Sequence, residues 1–233
     1  MKISLILLLA FLMYSEIVIA APFAYVANTE SDNVSVINVA TEKKIATVDV
    51  GEEPQFTAAS VDGKYVYVAN TKSNTVSVIE VSSNKVIDTN DNVNNNPIGI
   101  AASPDGDFVY VSNHNNLSII DTSSNTIVGT VSLGERPMGI AFTPDIKFAY
   151  VVVSQSNVVA VIEVSSMEVV KTITSVGGLP SFIAIDPEGN FAYVSNLSNA
   201  AITIIDLSTM EVSGTINLVS VDGCCGELCL QVT

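Results

Sequence analysis

Few residues in this chain are equipped for chemistry, and they are thinly spread. Its 233 residues hold one histidine, His114, one arginine, Arg136, and three cysteines, Cys224, Cys225 and Cys229. A histidine works as a general base only with an acid or nucleophile placed beside it. His114 sits between Asn113 and Asn115 and reads as an ordinary loop residue. No G-x-S-x-G elbow, H-E-x-x-H pair or phosphate-cradling glycine loop occurs. In an oxidising compartment paired cysteines default to a disulfide. Cys229 can pair with Cys224 or with Cys225; Cys224–Cys229 is the candidate, and the odd thiol is then available to a partner chain. A soft-metal site at these thiols lacks a companion histidine or a second cysteine pair. No metal and no cofactor is therefore expected.

Carboxylates are the abundant reactive group. Twenty-four Asp and Glu against nine Lys and Arg give a net charge of -15. A field of that sign repels nucleic-acid phosphate and anionic membrane, so neither is an expected partner. The first 20 residues read as a secretory signal: Lys2 is a short basic region, Ile3 to Met13 is apolar, and Val18 and Ala20 are small residues before a cleavage. Cleavage removes Lys2 and Glu16, leaves the charge at -15, and leaves no later apolar stretch long enough to span a bilayer. The mature protein is expected to be secreted, periplasmic or on the cell surface.

The elements that must position these groups are written five times. Tyr25, Tyr67, Tyr110, Tyr150 and Tyr193 each open a Tyr-Val pair, at spacings of 42, 43, 40 and 43 residues. A period in this range marks a repeat architecture. Pro54, Pro97, Pro137 and Pro180 each lie 13 residues before the next tyrosine, and an aromatic stands two residues before every tyrosine. Turns such as Asp62-Gly63, Asp105-Gly106 and Glu188-Gly189 precede that aromatic, as hairpins require. Each unit reads as four strands: a short apolar strand a after the proline, the tyrosine strand b, a strand c such as Val76-Ser77-Val78-Ile79, and a strand d such as Lys85-Val86-Ile87-Asp88. Val, Ile, Thr and Tyr dominate, as half-buried strands prefer, and almost no helix is expected. Small residues in strand a (Gly99, Ala101, Gly139, Ala141, Ala184) suit a crowded centre.

The fold class is therefore all-β, a β-propeller of about five four-stranded blades. The units resemble the YVTN-type β-propeller repeat. Ser103-Pro104-Asp105-Gly106 matches that repeat's turn, and Thr143-Pro144-Asp145 and Asp186-Pro187-Glu188-Gly189 match in part; Val153 replaces the expected asparagine in the fourth unit. The resemblance covers residues 23 to about 218. It implies a protein outside the cytoplasm and a fold shared with propeller lactonases. The domain reading is residues 1–20 signal, 21–218 repeats and 219–233 a cysteine-containing tail. The first unit lacks a strand a. Either the tail supplies it, through the alternation of Leu228, Leu230 and Val232, and closes a five-bladed ring, or the chain forms an open arc.

Antiparallel strands sort the loops by face. The b–c and d–a loops share one face, which carries Glu30, Asp32, Glu52, Glu53, His114, Glu135 and Arg136 and is the candidate binding face. The asparagines that end strand b (Asn28, Asn70, Asn113, Asn196) read as turn residues holding the next bend. The expected function is that of a non-enzymatic interaction or scaffold protein, binding a protein or glycan through that face. The alternative is a lactonase-like hydrolase acting at the central channel.

Overall fold

The structure, a computed structural model, describes residues 23–91 and 93–218. The expected signal segment and the tail with its cysteines and closing strand lie outside the described residues. Blade 1 is formed by Phe23–Asn28 (β1), Asn33–Asn38 (β2) and Lys43–Asp49 (β3), with a 3-10 turn over Thr29–Ser31. Blade 2 comprises Pro54–Ala59 (β4), Tyr65–Asn70 (β5), Thr75–Glu80 (β6) and Lys85–Asn90 (β7). Blade 3 comprises Ile100–Ala102 (β8), Phe108–Ser112 (β9), Asn116–Asp121 (β10) and Thr126–Ser132 (β11). Blade 4 comprises Pro137–Phe142 (β12), Phe148–Val153 (β13), Val158–Glu163 (β14) and Glu168–Ile173 (β15). Blade 5 comprises Pro180–Ile185 (β16), Phe191–Asn196 (β17), Ala201–Asp206 (β18) and Glu211–Asn217 (β19). Every blade is an antiparallel meander in which sequence neighbours pair. Blade 1 starts at strand b and has three strands among the described residues, as the phase of the repeat requires.

The repeated tyrosine makes the interface between blades. Tyr25 packs with Val66, Val68 and Ile79 of blade 2, and Tyr67 with Val109, Val111 and Ile120 of blade 3. Tyr110 then packs with Ala149, Val151 and Ile162 of blade 4, and Tyr150 with Ala192, Val194 and Ile205 of blade 5. A sheet covered on both faces has no solvent side, so strands b and c of the middle blades are buried almost throughout. The two end blades break this pattern. Tyr193, the fifth tyrosine, is 38% exposed where its three interior counterparts are 0–1% exposed, and Val26 is 44% exposed where Val68 is 0%. The described residues thus form the open arc; the sheets are not closed into a ring.

Two local features recur. The c–d ladder slips by one residue at the same place in every blade. The extra residue is Ile45, Ile87, Val128 or Val170 in the first four blades, and all four are about half exposed. These exposed apolar side chains are β-bulge residues, which twist the outer strand and blunt its free edge. Toward the axis, the glycines of strand a permit contact between neighbouring inner strands. A Cβ on Gly99 would collide with the carbonyl oxygen of Met138, and one on Gly139 would lie 2.9 Å from the Cα of Phe182.

Candidate functional site

The seven residues of the candidate face are all exposed. What positions them is a latch repeated at every junction between blades. A residue in the d–a loop with left-handed backbone donates its N–H to the b–c loop of the preceding blade. Glu53 donates to Asp32 Oδ1, Asn96 to Asn74 Oδ1 and Leu179 to Asn157 Oδ1, each at 2.8 Å. At the junction of blades 3 and 4 the b–c loop is two residues shorter, and a backbone carbonyl serves instead: Arg136 N–H donates to His114 O at 2.8 Å. His114 N–H in turn donates to Asn95 O at 2.8 Å. These bonds place the b–c and d–a loops on one face.

Between blades 1 and 2 the structure brings Asp32, Glu52 and Glu53 together, with Lys72 Nζ 3.2 Å from Glu52 and 3.9 Å from Glu53. Both carboxylates raise the pKa of Lys72, the hydrogen bond it donates to Glu52 most. Between blades 3 and 4 it brings His114 and Arg136 together through their backbones. Glu30 stands on the 3-10 turn, apart from both sets. Lys72 was not singled out from the sequence, although it sits in the same polar b–c loop. The latch role of His114 has no sequence signal, because it uses the carbonyl that every residue has.

The strand-b asparagines, read from the sequence as holding the next bend, do so as staples, half-buried at Asn28 and buried in the other three. Asn70, Asn113 and Asn196 are 0–3% exposed. Asn70 Nδ2 donates to Thr75 and Ser77 at 3.0 and 2.9 Å, Asn113 to Asn116 and Ser118 at 2.9 Å, and Asn196 to Thr203 at 2.9 Å. The amide therefore ties strand b to strand c beneath the loop. Blade 4 closes the same hairpin with an apolar pair, Val153 opposite Val158.

Further concavities lie elsewhere. On the axis, a pocket of about 110 Å³ is lined by strand-a residues of four blades, among them Phe56, Gly99, Met138, Ile140 and Phe182. Phe56 and Phe182 meet edge to face across it at 5.5 Å. None of its lining residues is ionisable. On the opposite face from the latches, clefts open between blades beside the a–b and c–d turns. The one between blades 4 and 5 is about 400 Å³, and its counterpart between blades 2 and 3 about 330 Å³. Among the described residues no three of His, Cys, Asp and Glu are grouped to hold a metal ion.

The chain is similar to known propellers. A family model of YNCE-like β-propellers matches residues 9–125, just over half of the chain. A chain of the hydrazine synthase of Kuenenia stuttgartiensis is 26% identical with a TM-score of 0.68, over 71% of this chain and 49% of that one. A functionally unknown protein from Desulfotomaculum acetoxidans DSM 771 is 20% identical with a TM-score of 0.76, over 84% of this chain and 66% of that one. The second likeness speaks for the fold alone, and the chain spans less than two thirds of either protein. No curated protein matches the sequence.

Proposed function

The chain belongs to the YNCE-like β-propeller family, and from that premise we propose that it is a non-enzymatic interaction module acting outside the cytoplasm. Its partner is a protein or glycan, met by the face that carries Glu30, Asp32, Glu52, Glu53, His114, Glu135 and Arg136. The observation that supports this most is the row of four equivalent latches. They fix the loop backbones from blade to blade while the charged tips stay exposed. A rigid surface loses little conformational freedom on binding, which favours affinity. The face is acidic, in keeping with the charge of the whole chain, so electrostatic attraction selects partners with cationic patches. The hydrolase alternative draws no support from the axial pocket, whose apolar wall offers no acid or base.

The test is a screen of the mature protein against glycan and extracellular-protein arrays, run in parallel with a Glu30/Glu52/Glu53/Glu135→Gln variant. A partner whose binding falls at least tenfold in the variant supports the reading. Partners bound equally by both proteins, or turnover of a lactone by the wild type, would overturn it.

A further inference from the structure

The cleft between blades 4 and 5 combines features that the loop face lacks. Its turns supply three carboxylates: Asp145 from the a–b turn of blade 4, and Glu188 and Asp206 from the a–b and c–d turns of blade 5. Phe148, Tyr150 and Phe191 add aromatic rings to the same wall. Tyr150 is fully buried, and its hydroxyl has no hydrogen-bond partner. Burial, and secondarily the charge of Asp145, push that hydroxyl up to about 12, so it stays neutral and keeps its lone pairs for a donor. Lys147 pairs with Asp145 at 2.8 Å, and Ser208 and Thr209 donate to Asp206. Glu188 makes no hydrogen bond or ion pair among the described residues. The repeat builds the same arrangement between blades 2 and 3, from Asp62, Asp105, Tyr65 and Tyr67, where the hydroxyl of Tyr67 is again buried and unpartnered.

We propose that the cleft between blades 4 and 5 is a binding site for an organic cation, an ammonium group on a short aliphatic stem. Ring faces attract such a cation through their quadrupoles, and they do so more strongly when the site is partly desolvated. The Glu188 carboxylate, without a partner among the described residues, and the Tyr150 hydroxyl oxygen complete a wall of acceptors. A volume of about 400 Å³ holds a small ligand but not a folded domain. The chain's charge of -15 raises the local concentration of any cation. This site is independent of the loop face and survives if that reading fails.

The experiment is calorimetric titration of the full chain with cadaverine, with Nα-acetyl-lysine methylamide, and with 1-pentanol as the uncharged control. Binding of either amine without binding of pentanol is expected; the better amine tells whether the natural source is a free amine or a lysine side chain. Glu188→Gln and Phe191→Leu should each weaken the amine at least fivefold, and 0.5 M NaCl should weaken it further. Tyr150→Phe should weaken the amine about threefold without lowering the thermal midpoint. That combination separates loss of an acceptor from loss of folding. Absence of amine binding at 10 mM, equal binding of pentanol, or affinity unchanged in Glu188→Gln would each overturn the proposal.

Discussion

Five tyrosines at equivalent positions do not do equivalent work. Tyr25 donates its hydroxyl to Asn84 Oδ1 at 3.0 Å, whereas Tyr67, Tyr110 and Tyr150 bury theirs without a partner. The left-handed residue of the next c–d turn explains two of the three: it is Asn84 facing Tyr25, but Met167 and Met210 in the blades facing Tyr110 and Tyr150. Blade 3 instead offers Asn125, whose Oδ1 is buried without a partner like the Tyr67 hydroxyl. Tyr25→Phe should therefore cost about 1 kcal/mol, while Tyr110→Phe should be neutral or stabilising, because it removes an unsatisfied buried group. Denaturant melts of the two variants measure this directly. The same three tyrosines, each pushed up to about 12 by burial, favour the neutral form. A raised folded-state pKa stabilises below the unfolded value of 10 and is lost above it, so stability should fall between pH 10 and about 12. Asp62 and Asp145 have the opposite sign: hydrogen bonds from Lys64 and Lys147, first among their causes, lower both to about 2. Their contribution is complete above pH 4 and lost toward pH 2. Both carboxylates are exposed, so this acid limb is shallow, and Asp62→Asn with Asp145→Asn should flatten it in a pH-dependent melt.

At the scale of the element, each blade is stitched by a buried amide below the loop and a latch above it. Asn70→Ala removes bonds to Thr75 and Ser77 and leaves a buried serine short of a donor, so a loss of about 2–3 kcal/mol is expected. Asn74→Ala removes the latch to Asn96 and puts alanine at a left-handed φ of 58°, so a loss of about 1–2 kcal/mol is expected. Chemical denaturation of both variants would rank them. Gly99→Ala should cost more than Asn74→Ala, on the order of 3 kcal/mol, since the new methyl meets main chain rather than a movable side chain. Much of this was legible beforehand. The aromatic-x-tyrosine alternation, the Asp-Gly turns and the small residues of strand a announced strands, hairpins and a crowded axis. The staples were half legible: Asn after Tyr-Val-Ala was seen to govern the bend, but its burial follows from the next blade covering it, which only the assembled fold shows. The latches and the clefts were not legible. A latch joins a backbone N–H to a loop side chain or carbonyl about 22 residues away, and a cleft is the space two blades leave between them. Asp145, Glu188 and Phe191 read in the sequence as turn and strand signals, and nothing in their spacing reveals that they line one cleft.

For the whole molecule, the governing fact is that every blade needs a neighbour to cover its tyrosine. Among the described residues four junctions meet that need and the fifth tyrosine goes without, which is why blade 5 alternates exposed and buried residues where blades 2 to 4 do not. Tyr193→Ala should accordingly cost under about 1.5 kcal/mol, against about 3–5 kcal/mol for Tyr150→Ala, whose ring is fully buried. Near-equal losses at the two sites would show that the arc is covered at blade 5 in solution. The acidic face and its partner belong to the same scale, because the latches turn separate loops into one surface. Hydrogen–deuterium exchange of the protein, alone and saturated with the partner found by array screening, tests that claim most directly. Protection confined to residues 29–32, 50–53, 71–74, 94–96, 113–116 and 134–136 is predicted. Protection of the axial strands or of the a–b turns, with those loops unchanged, would contradict it.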